Sequence, residues 1–218
     1  MSTTSETVTA PIEQRPQDRL APEHEVIVDL IPEGSRVLDL GCGDGRLLSA
    51  LTRRRGARAE GIEIASEAIQ ACVARGVQNV HQSDLDEGLA DYADQSMDYV
   101  ILTSTIQVLQ RPLDLIHEIA RVGRRAIIGF PNFAHWRCRA QLGLGGHMPV
   151  TDNLPYQWYD TPNIHLTTIR DFRETCRIAE LTVLDEIALR LGSKAARRVR
   201  LLPNLRADYA IFVVSGVE

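Results

Sequence analysis

The sequence predicts a Rossmann-like α/β fold in a single domain, and three observations support this prediction. The chain has 218 residues, which lies in the size range of one globular domain. Hydrophobic residues make up 44% of the chain and charged residues 24%, the ordinary balance of a protein with a sizeable core. Short apolar segments with strand character alternate with segments of helical periodicity, as in a parallel sheet covered by helices.

The folded domain is expected to begin near Leu20. Residues 1–18 are rich in Ser, Thr, Pro and Glu and offer little that a core could bury. This composition predicts a disordered N-terminal tail. Residues 19–218 then form the predicted domain.

Each element of the domain is predicted from its own pattern. The first helix is stopped by Pro32, and the turn at 33–35 starts the first strand. The helix at 112–122 has Leu113, Ile116 and Ile119 on one face, which indicates packing against the sheet. In chain order, the prediction has helices at 25–31, 45–55, 66–75, 112–122 and 169–179, and strands at 36–40, 59–64, 77–82, 97–102, 125–130, 181–191 and 209–215.

The alternation fails at residues 131–168, where four prolines and three glycines are expected to break any long element. A loop-rich insertion of this length is uncommon unless it covers or binds something. Aromatic side chains and arginines are concentrated there, which favours a protein interface, and a lid over a ligand is the alternative. A second stretch, 192–206, holds five basic residues and is interpreted as a solvated loop, with a basic patch as the alternative.

Composition excludes several classes of protein. The net charge of −5 disfavours a general nucleic-acid binder. No run of about 20 apolar residues is present and the N-terminus lacks a signal peptide, so we expect neither membrane insertion nor export. The four cysteines show no CxxC pair, which predicts reduced thiols and a cytoplasmic protein. No metal site is expected, because the histidines and cysteines lack ligand spacing.

The most informative segment is 37–45, which reads Val-Leu-Asp-Leu-Gly-Cys-Gly-Asp-Gly. A strand runs into a glycine-rich turn and then a helix, so a polar ligand can approach the backbone at the positive end of that helix. NAD is disfavoured, because Arg46 stands where a dinucleotide fingerprint has its third glycine. Cys42 within the turn is interpreted as a small residue that fits, although a helix N-terminus can lower a thiol pKa.

Two acidic residues lie at the carboxyl ends of the next two predicted strands, one at the end of the second strand and one just after the third. Glu63, with Ile64, closes the second strand 22 residues after Gly41, and a carboxylate there can accept hydrogen bonds from both hydroxyls of a ribose. Asp84 and Leu85 follow the third strand, where an adenine ring would lie beside the sheet. The alternative for Glu63 is an exposed residue at a strand end. All these positions lie at the carboxyl ends of successive strands, where open α/β sheets bind ligands.

These motifs resemble those of the class I S-adenosylmethionine-dependent methyltransferases. The resemblance implies their fold: a mostly parallel seven-stranded sheet with helices on both faces, here with a loop-rich insertion after the fifth strand. It also implies S-adenosylmethionine or S-adenosylhomocysteine as cofactor, with Asp39 near the methionine amino group and Thr103 at the methionine end. The cofactor-binding residues expected by resemblance are Asp39, Gly41, Cys42, Gly43, Glu63, Ile64, Asp84, Leu85 and Thr103.

A closer resemblance, over nearly the whole domain, is to the methionine biosynthesis protein MetW family. It is carried by 38–45 and by three segments of the insertion, namely Phe-Pro-Asn-Phe-Ala-His-Trp-Arg-Cys-Arg at 130–139, Met-Pro-Val at 148–150 and Leu-Pro-Tyr-Gln-Trp-Tyr-Asp-Thr-Pro-Asn-Ile-His at 154–165. The family implies a role in methionine biosynthesis with a homoserine O-acyltransferase, an α/β-hydrolase enzyme, as partner. We expect the insertion to make that contact.

Catalytic turnover by the chain itself is left open, with a small-molecule methyltransferase as the alternative function. Candidate bases are His135, Tyr156, Tyr159 and His165, each of which can equally be a packing or capping residue. Residues 102–106 lack the signature of amine methyltransferases, which disfavours methylation of DNA or protein amines. A third hypothesis is a relic of the fold that binds neither cofactor nor partner.

Overall fold

The computed structural model describes residues 19–193 and 195–216, so the predicted tail at 1–18 lies outside the described residues. The strands are β1 Arg36–Leu40, β2 Arg58–Glu63, β3 Val80–Gln82, β4 Met97–Thr103, β5 Gly123–Pro131, β6 Leu181–Leu191, β7 Ala196–Arg198 and β8 Tyr209–Gly216. The helices are α1 Pro22–Leu30, α2 Arg46–Arg55, α3 Ser66–Ala74, α4 Pro112–Val122, α5 Trp136–Gly145, α6 Ile169–Ile178 and α7 Pro203–Arg206. Short 3₁₀ turns occupy Leu85–Glu87 and Ile106–Val108.

The strands form one sheet in the order β3-β2-β1-β4-β5-β8-β6-β7. The first five are parallel, and β8 lies antiparallel between β5 and β6. The predicted Rossmann-like fold is confirmed, with one strand more than the seven predicted. The additional strand, β7, lies within the stretch predicted as a solvated loop; it pairs antiparallel with the end of β6 and is too short to show a period.

Two apolar layers cover the two faces of the sheet, which confirms the predicted helices on both sides. One layer joins α4 and α6 to the sheet, and the other joins α1, α2 and α3. Phe130, Phe172 and Phe212 meet in the first layer, with centroids of Phe172 at 4.9 Å from Phe130 and 4.8 Å from Phe212. Burial of such aromatic side chains stabilises the fold and holds the carboxyl end of β5 in place.

The insertion after β5 is less irregular than predicted, because it contains the ten-residue helix α5. The prediction was wrong here for a positional reason: Pro131 and Pro149 lie outside the helix, and Gly143 and Gly145 fall in its last turn. The helix ends at Gly146, whose φ of +65° is the left-handed conformation that favours glycine at a helix end.

The rest of the insertion is held by hydrogen bonds within itself and to the body of the domain. Within the insertion, Gln141 exchanges two side-chain hydrogen bonds with the backbone of Val150. The backbone N–H groups of Ile164 and His165 both donate to the carbonyl of Gln107, which follows β4. The bonds to Gln107 hold residues 164–165 of the insertion near the end of β4. Within the described ranges, no helix is long and apolar enough to cross a membrane.

Candidate functional site

The fold brings the polar residues predicted for the cofactor site to one edge of the sheet. β3, β2 and β1 are neighbours and parallel, so their carboxyl ends lie side by side. Asp39 lies near the end of β1, Glu63 ends β2, and Asp84 follows β3. The glycine turn at 41–45, which connects β1 to α2, lies at the same edge.

The three glycines of this turn all have left-handed backbone, but they differ in what lies beside them. A Cβ at Gly41, where φ is +70°, would lie 2.5 Å from the Thr105 hydroxyl, and one at Gly45, where φ is +73°, would lie 2.8 Å from the Cys72 sulfur. Gly43, with φ of +55°, has nothing within 4 Å of that position. Packing therefore requires glycine at the two outer positions, whereas the space beside Gly43 is open to a ligand.

The Glu63 carboxylate accepts hydrogen bonds from the backbone of the glycine turn and from the backbone just after β2. Its Oε2 accepts a hydrogen bond from the Gly43 N–H at 2.8 Å. Its Oε1 accepts from the N–H groups of Ile64 at 2.9 Å and Ala65 at 3.0 Å, just before α3. Ile64 presents an exposed apolar side chain beside this carboxylate. A charged acceptor thus lies next to an exposed apolar side chain, an arrangement suited to a nucleoside.

Asp39 is an uncompensated buried carboxyl. The residue is 2% exposed, and its Oδ1 has no hydrogen-bond partner in the part of the chain that the structure describes. Burial, followed by the charge of Glu63, raises the pKa of Asp39 to about 7. A buried acceptor without a partner costs free energy, so a cationic group bound beside Asp39 would relieve that cost.

Asp84 and Leu85 lie at the far end of the site. The Asp84 Oδ1 accepts a hydrogen bond from the Asp86 N–H at 2.9 Å and caps the short 3₁₀ turn. Leu85 is buried beside it. One oxygen of Asp84 is thereby used for the local fold, and the other is available to a ligand.

Ser104, which directly follows β4, is a residue at this edge of the sheet that the sequence analysis did not predict. Thr103, the predicted contact, is buried. The next residue, Ser104, is exposed and has a φ of +53°, unusual for a residue other than glycine. Its hydroxyl lies 3.0 Å from the hydroxyl of the buried Tyr209. No sequence signal marks Ser104, because its conformation follows from pairing of its N–H with the Gly129 carbonyl on β5.

Cys42 is a packing residue of the turn. A hydrogen bond with Cys72 and burial both raise the pKa of the Cys42 thiol, the reverse of the effect that a helix N-terminus can have. A Cβ at Gly61 would lie 2.6 Å from the Cys42 sulfur, so the side chain fills the space over β2. This agrees with the interpretation of Cys42 as a small residue that fits.

The candidate bases lie in different surroundings. His135 is buried as the N-cap of α5, and burial lowers its pKa. Tyr159 is exposed and packs edge-on against Trp158. His165 is fixed through its backbone to Gln107. Among the described residues, no hydrogen bond joins any two of the four candidates, and no cluster of three His, Cys, Asp or Glu side chains could hold a metal ion.

A glycine turn after β1, an acid at the end of β2 and an antiparallel strand inserted beside β5 define the fold of the class I S-adenosylmethionine-dependent methyltransferases. Solved structures with this fold include a possible histamine N-methyltransferase from Thermotoga maritima, with a TM-score of 0.67 and 16% identity over 90% of this chain and 88% of that one. A methyltransferase from Archaeoglobus fulgidus has a TM-score of 0.62 and 16% identity, over 88% of this chain and 93% of that one.

Within that class, the chain belongs to the methionine biosynthesis protein MetW family, whose model matches residues 21–214. It is 36% identical over 198 residues to the bifunctional methionine biosynthesis protein MetXA/MetW of Rhodopirellula baltica, covering 87% of this chain and 32% of that protein. It is 31% identical over 94 residues to a ubiquinone biosynthesis O-methyltransferase of Alkalilimnicola ehrlichii, covering 41% and 38%. The chain thus spans about a third of the length of these relatives.

Proposed function

We propose that the protein binds S-adenosylmethionine or S-adenosylhomocysteine and, through that site, supports a homoserine O-acyltransferase in methionine biosynthesis. The observation that carries the cofactor assignment is the buried, unpartnered carboxyl of Asp39 next to the open space at Gly43. An α-ammonium group matches the first, and close approach of a ligand to backbone matches the second.

We assign the remaining residues of the site to the ribose, the adenine and the methionine end of the cofactor. Glu63 accepts hydrogen bonds from the ribose hydroxyls, and the apolar side chains of Ile64 and Leu85 pack against adenine. The free oxygen of Asp84 accepts a hydrogen bond from the adenine amine. Gly41, Cys42 and Thr103 shape the methionine end. When bound, S-adenosylmethionine supplies an electrophilic methyl group, and the chain's residues bind and orient it.

The partner assignment is supported by the bifunctional relative, in whose name MetXA and MetW are joined. It is also supported by an apolar surface on the insertion, which we call the insertion surface. Trp158 and Tyr159 are 73% and 71% exposed, with ring centroids 5.7 Å apart, and Leu144 is 91% exposed. The insertion surface comprises Trp136, Leu142, Leu144, Met148, Trp158, Tyr159 and Ile164.

Trp158 and Tyr159 present most of their area to solvent, which suits a surface that docks a partner. A lid that closes over the cofactor is the alternative. Exposed tryptophan and tyrosine are the residues that contribute most to protein–protein affinity. We therefore assign the insertion surface to the acyltransferase, and we place the complex in the cytoplasm because the four cysteines are free thiols.

The proposal is tested by two measurements on the full chain. Calorimetry with S-adenosylhomocysteine should show saturable binding of one equivalent. Co-expressed homoserine O-acyltransferase should co-purify with the protein, and its acyl-transfer rate should change when the protein is added. Absence of cofactor binding overturns the first assignment. The second is overturned if the acyltransferase does not associate with the protein and its rate does not change, both with and without cofactor.

A separate assay distinguishes support of an acyltransferase from methyl transfer by the chain itself. S-adenosylmethionine is incubated with the protein and extracted cell metabolites, and S-adenosylhomocysteine is measured. The proposed role predicts no protein-dependent formation of S-adenosylhomocysteine above background. Sustained formation that depends on Asp39 and on an added metabolite would instead identify a small-molecule methyltransferase.

A further inference from the structure

Residues 104–107, which we call the β4 turn, connect the candidate cofactor site to the insertion. At the start of this turn, Thr105 lies against the glycine turn, since a Cβ at Gly41 would be 2.5 Å from the Thr105 hydroxyl. The same hydroxyl donates to the Thr103 carbonyl at 3.0 Å and lies 3.5 Å from the carbonyl of Leu40, just before Gly41. Because protein interiors are closely packed, a shift of the glycine turn changes the contacts of the β4 turn.

The end of the β4 turn holds the insertion. The backbone carbonyl of Gln107 accepts hydrogen bonds from the Ile164 N–H at 2.8 Å and the His165 N–H at 3.0 Å. Gln107 also lines a cleft together with Leu154 and His165. The stretch 155–163, which carries the two most exposed aromatic rings of the insertion surface, therefore begins and ends beside Gln107.

Within the described ranges, the hydrogen bonds of residues 155–163 stay inside that stretch. The Asp160 N–H donates to the Gln157 carbonyl, and the Asn163 N–H donates to the Thr161 hydroxyl. The position of the stretch relative to the sheet therefore depends on its two ends, both of which lie beside the end of the β4 turn.

Two features of the β4 turn cost free energy. Ser104 has a φ of +53°, in the left-handed region that residues other than glycine rarely adopt. The Gln107 Nε2–H donates to the Ser104 carbonyl at 3.0 Å, whereas the Gln107 Oε1 is buried without a hydrogen-bond partner in the part of the chain that the structure describes. Local strain of this kind is concentrated in ligand clamps and switch regions. The β4 turn is therefore suited to a change of arrangement when a ligand binds.

We infer that the β4 turn couples cofactor binding to partner binding. Cofactor bound at the glycine turn favours one arrangement of the β4 turn, and the same arrangement positions residues 155–163 for the acyltransferase. Gln107 is the positioning residue, because it contacts both Ser104 and the insertion. The inference rests on the proposed function, since it involves both ligands. Coupling between two sites is reciprocal, so each ligand should raise affinity for the other by the same factor.

Hydrogen–deuterium exchange on the full chain tests the coupling without the partner. S-adenosylhomocysteine should slow exchange at the Ile164 and His165 amides about tenfold, because a fixed β4 turn opens their bonds to Gln107 less often. Gln107→Met keeps the size of the side chain and removes its bond to Ser104, so S-adenosylhomocysteine should leave these two amides unchanged in this variant. Protection of the glycine turn without any change at Ile164 and His165 in the parent overturns the inference, whether or not Gln107→Met folds.

Affinity for the acyltransferase, measured by calorimetry, is the second test. It should be about tenfold higher with S-adenosylhomocysteine bound, and Gln107→Met should lose this difference while binding the cofactor as the parent does. Gln141→Ala is the matched control and should keep the difference, because it breaks two hydrogen bonds within the insertion and none to the β4 turn. Equal partner affinity with and without cofactor, in a parent that binds both, overturns this inference alone. Absence of cofactor binding overturns the proposed function, and this inference with it.

Discussion

The Glu63 carboxylate accepts a hydrogen bond from the backbone N–H of Gly43 across 2.8 Å, which ties the end of β2 to the middle of the glycine turn. Its other oxygen receives the two N–H groups that lead into α3. Carboxylate oxygens can accept more than one hydrogen bond, so these contacts leave room for ribose hydroxyls. Glu63 therefore shapes the turn, and we propose that it also presents its charge to the cofactor.

We expect Glu63→Ala to weaken S-adenosylhomocysteine binding about a hundredfold or more, because two hydrogen bonds to a charged group contribute roughly 1.5–3 kcal/mol each. Glu63→Gln, which keeps the size and one acceptor oxygen, should have an intermediate effect. Calorimetry gives both values. Glu67→Ala, an exposed acid in the first turn of α3, is the control and should bind normally. Equal affinity of Glu63→Ala and the parent would show that Glu63 does not contact the cofactor.

Substitution of the glycines should separate folding from binding. Gly43→Ala places a methyl group in open space but keeps a φ of +55°, so it should cost about 1–2 kcal/mol of stability and most of the cofactor affinity. Gly34→Ala, with φ of +72° and nothing within 4 Å, should cost similar stability and leave affinity intact. Urea denaturation and calorimetry test this pair. Retained affinity in Gly43→Ala would contradict the ligand position.

Gly45→Ala should be more destabilising than either of these changes. The φ of +73° carries the same backbone cost, and the added Cβ would lie 2.8 Å from the Cys72 sulfur, inside contact distance. We expect a loss of about 2–4 kcal/mol in the free energy of unfolding, measured by urea denaturation. A loss no larger than that of Gly34→Ala would show that α3 moves away without cost.

Asp39 should make both stability and binding depend on pH. The pKa of buried Asp39 is raised from 3.8 to about 7, so the folded state holds this proton more tightly than the unfolded chain does. The contribution of Asp39 to the free energy of unfolding is therefore fully present below the unfolded pKa and is lost as pH rises through 7. The difference corresponds to about 4 kcal/mol at most. Asp39→Asn should therefore be more stable than the parent at pH 8 and similar at pH 4, by urea denaturation without cofactor.

Cofactor binding should show the opposite trend, because a bound ammonium group favours the charged carboxylate. We expect affinity of the parent for S-adenosylhomocysteine to rise between pH 6 and pH 8, by up to about tenfold per pH unit below the pKa. Asp39→Asn should bind weakly with little dependence on pH in this range. Parallel pH profiles for the two proteins would exclude Asp39 as the ammonium partner.

Substitutions in the insertion surface should weaken association with the partner and leave cofactor affinity unchanged. Trp158→Ala and Tyr159→Ala remove exposed rings, so we expect loss of co-purification with the acyltransferase and unchanged S-adenosylhomocysteine affinity. Ile178→Ala, an exposed apolar residue on α6 away from the insertion, is the control and should co-purify normally. The opposite pattern, in which cofactor affinity falls and association persists, would identify a lid.

The local pattern of the sequence was sufficient to predict most of the helices and strands. Helix α4 and strand β6 have the bounds that periodicity and flanking residues predict. The buried face of α4 consists of Leu115, Ile116, Ile119 and Val122, so Leu113, which was predicted to pack against the sheet, is exposed instead. The strand, glycine turn and helix at 36–55 were also predicted, since the conformational demands of that turn are local. Family membership was also readable from contiguous motifs, and the family model confirms it.

Tertiary contacts decided what the pattern could not show. Strand β7 exists because the end of β6 offers it a partner. The three glycines of one motif differ only through what packs against them from Thr105 and Cys72. The pKa of Asp39 near 7 likewise depends on burial and on a charge 24 residues away in the chain. Sequence determines conformations that depend on neighbours along the chain, whereas packing, burial and charge depend on neighbours in space, which only the folded chain brings together.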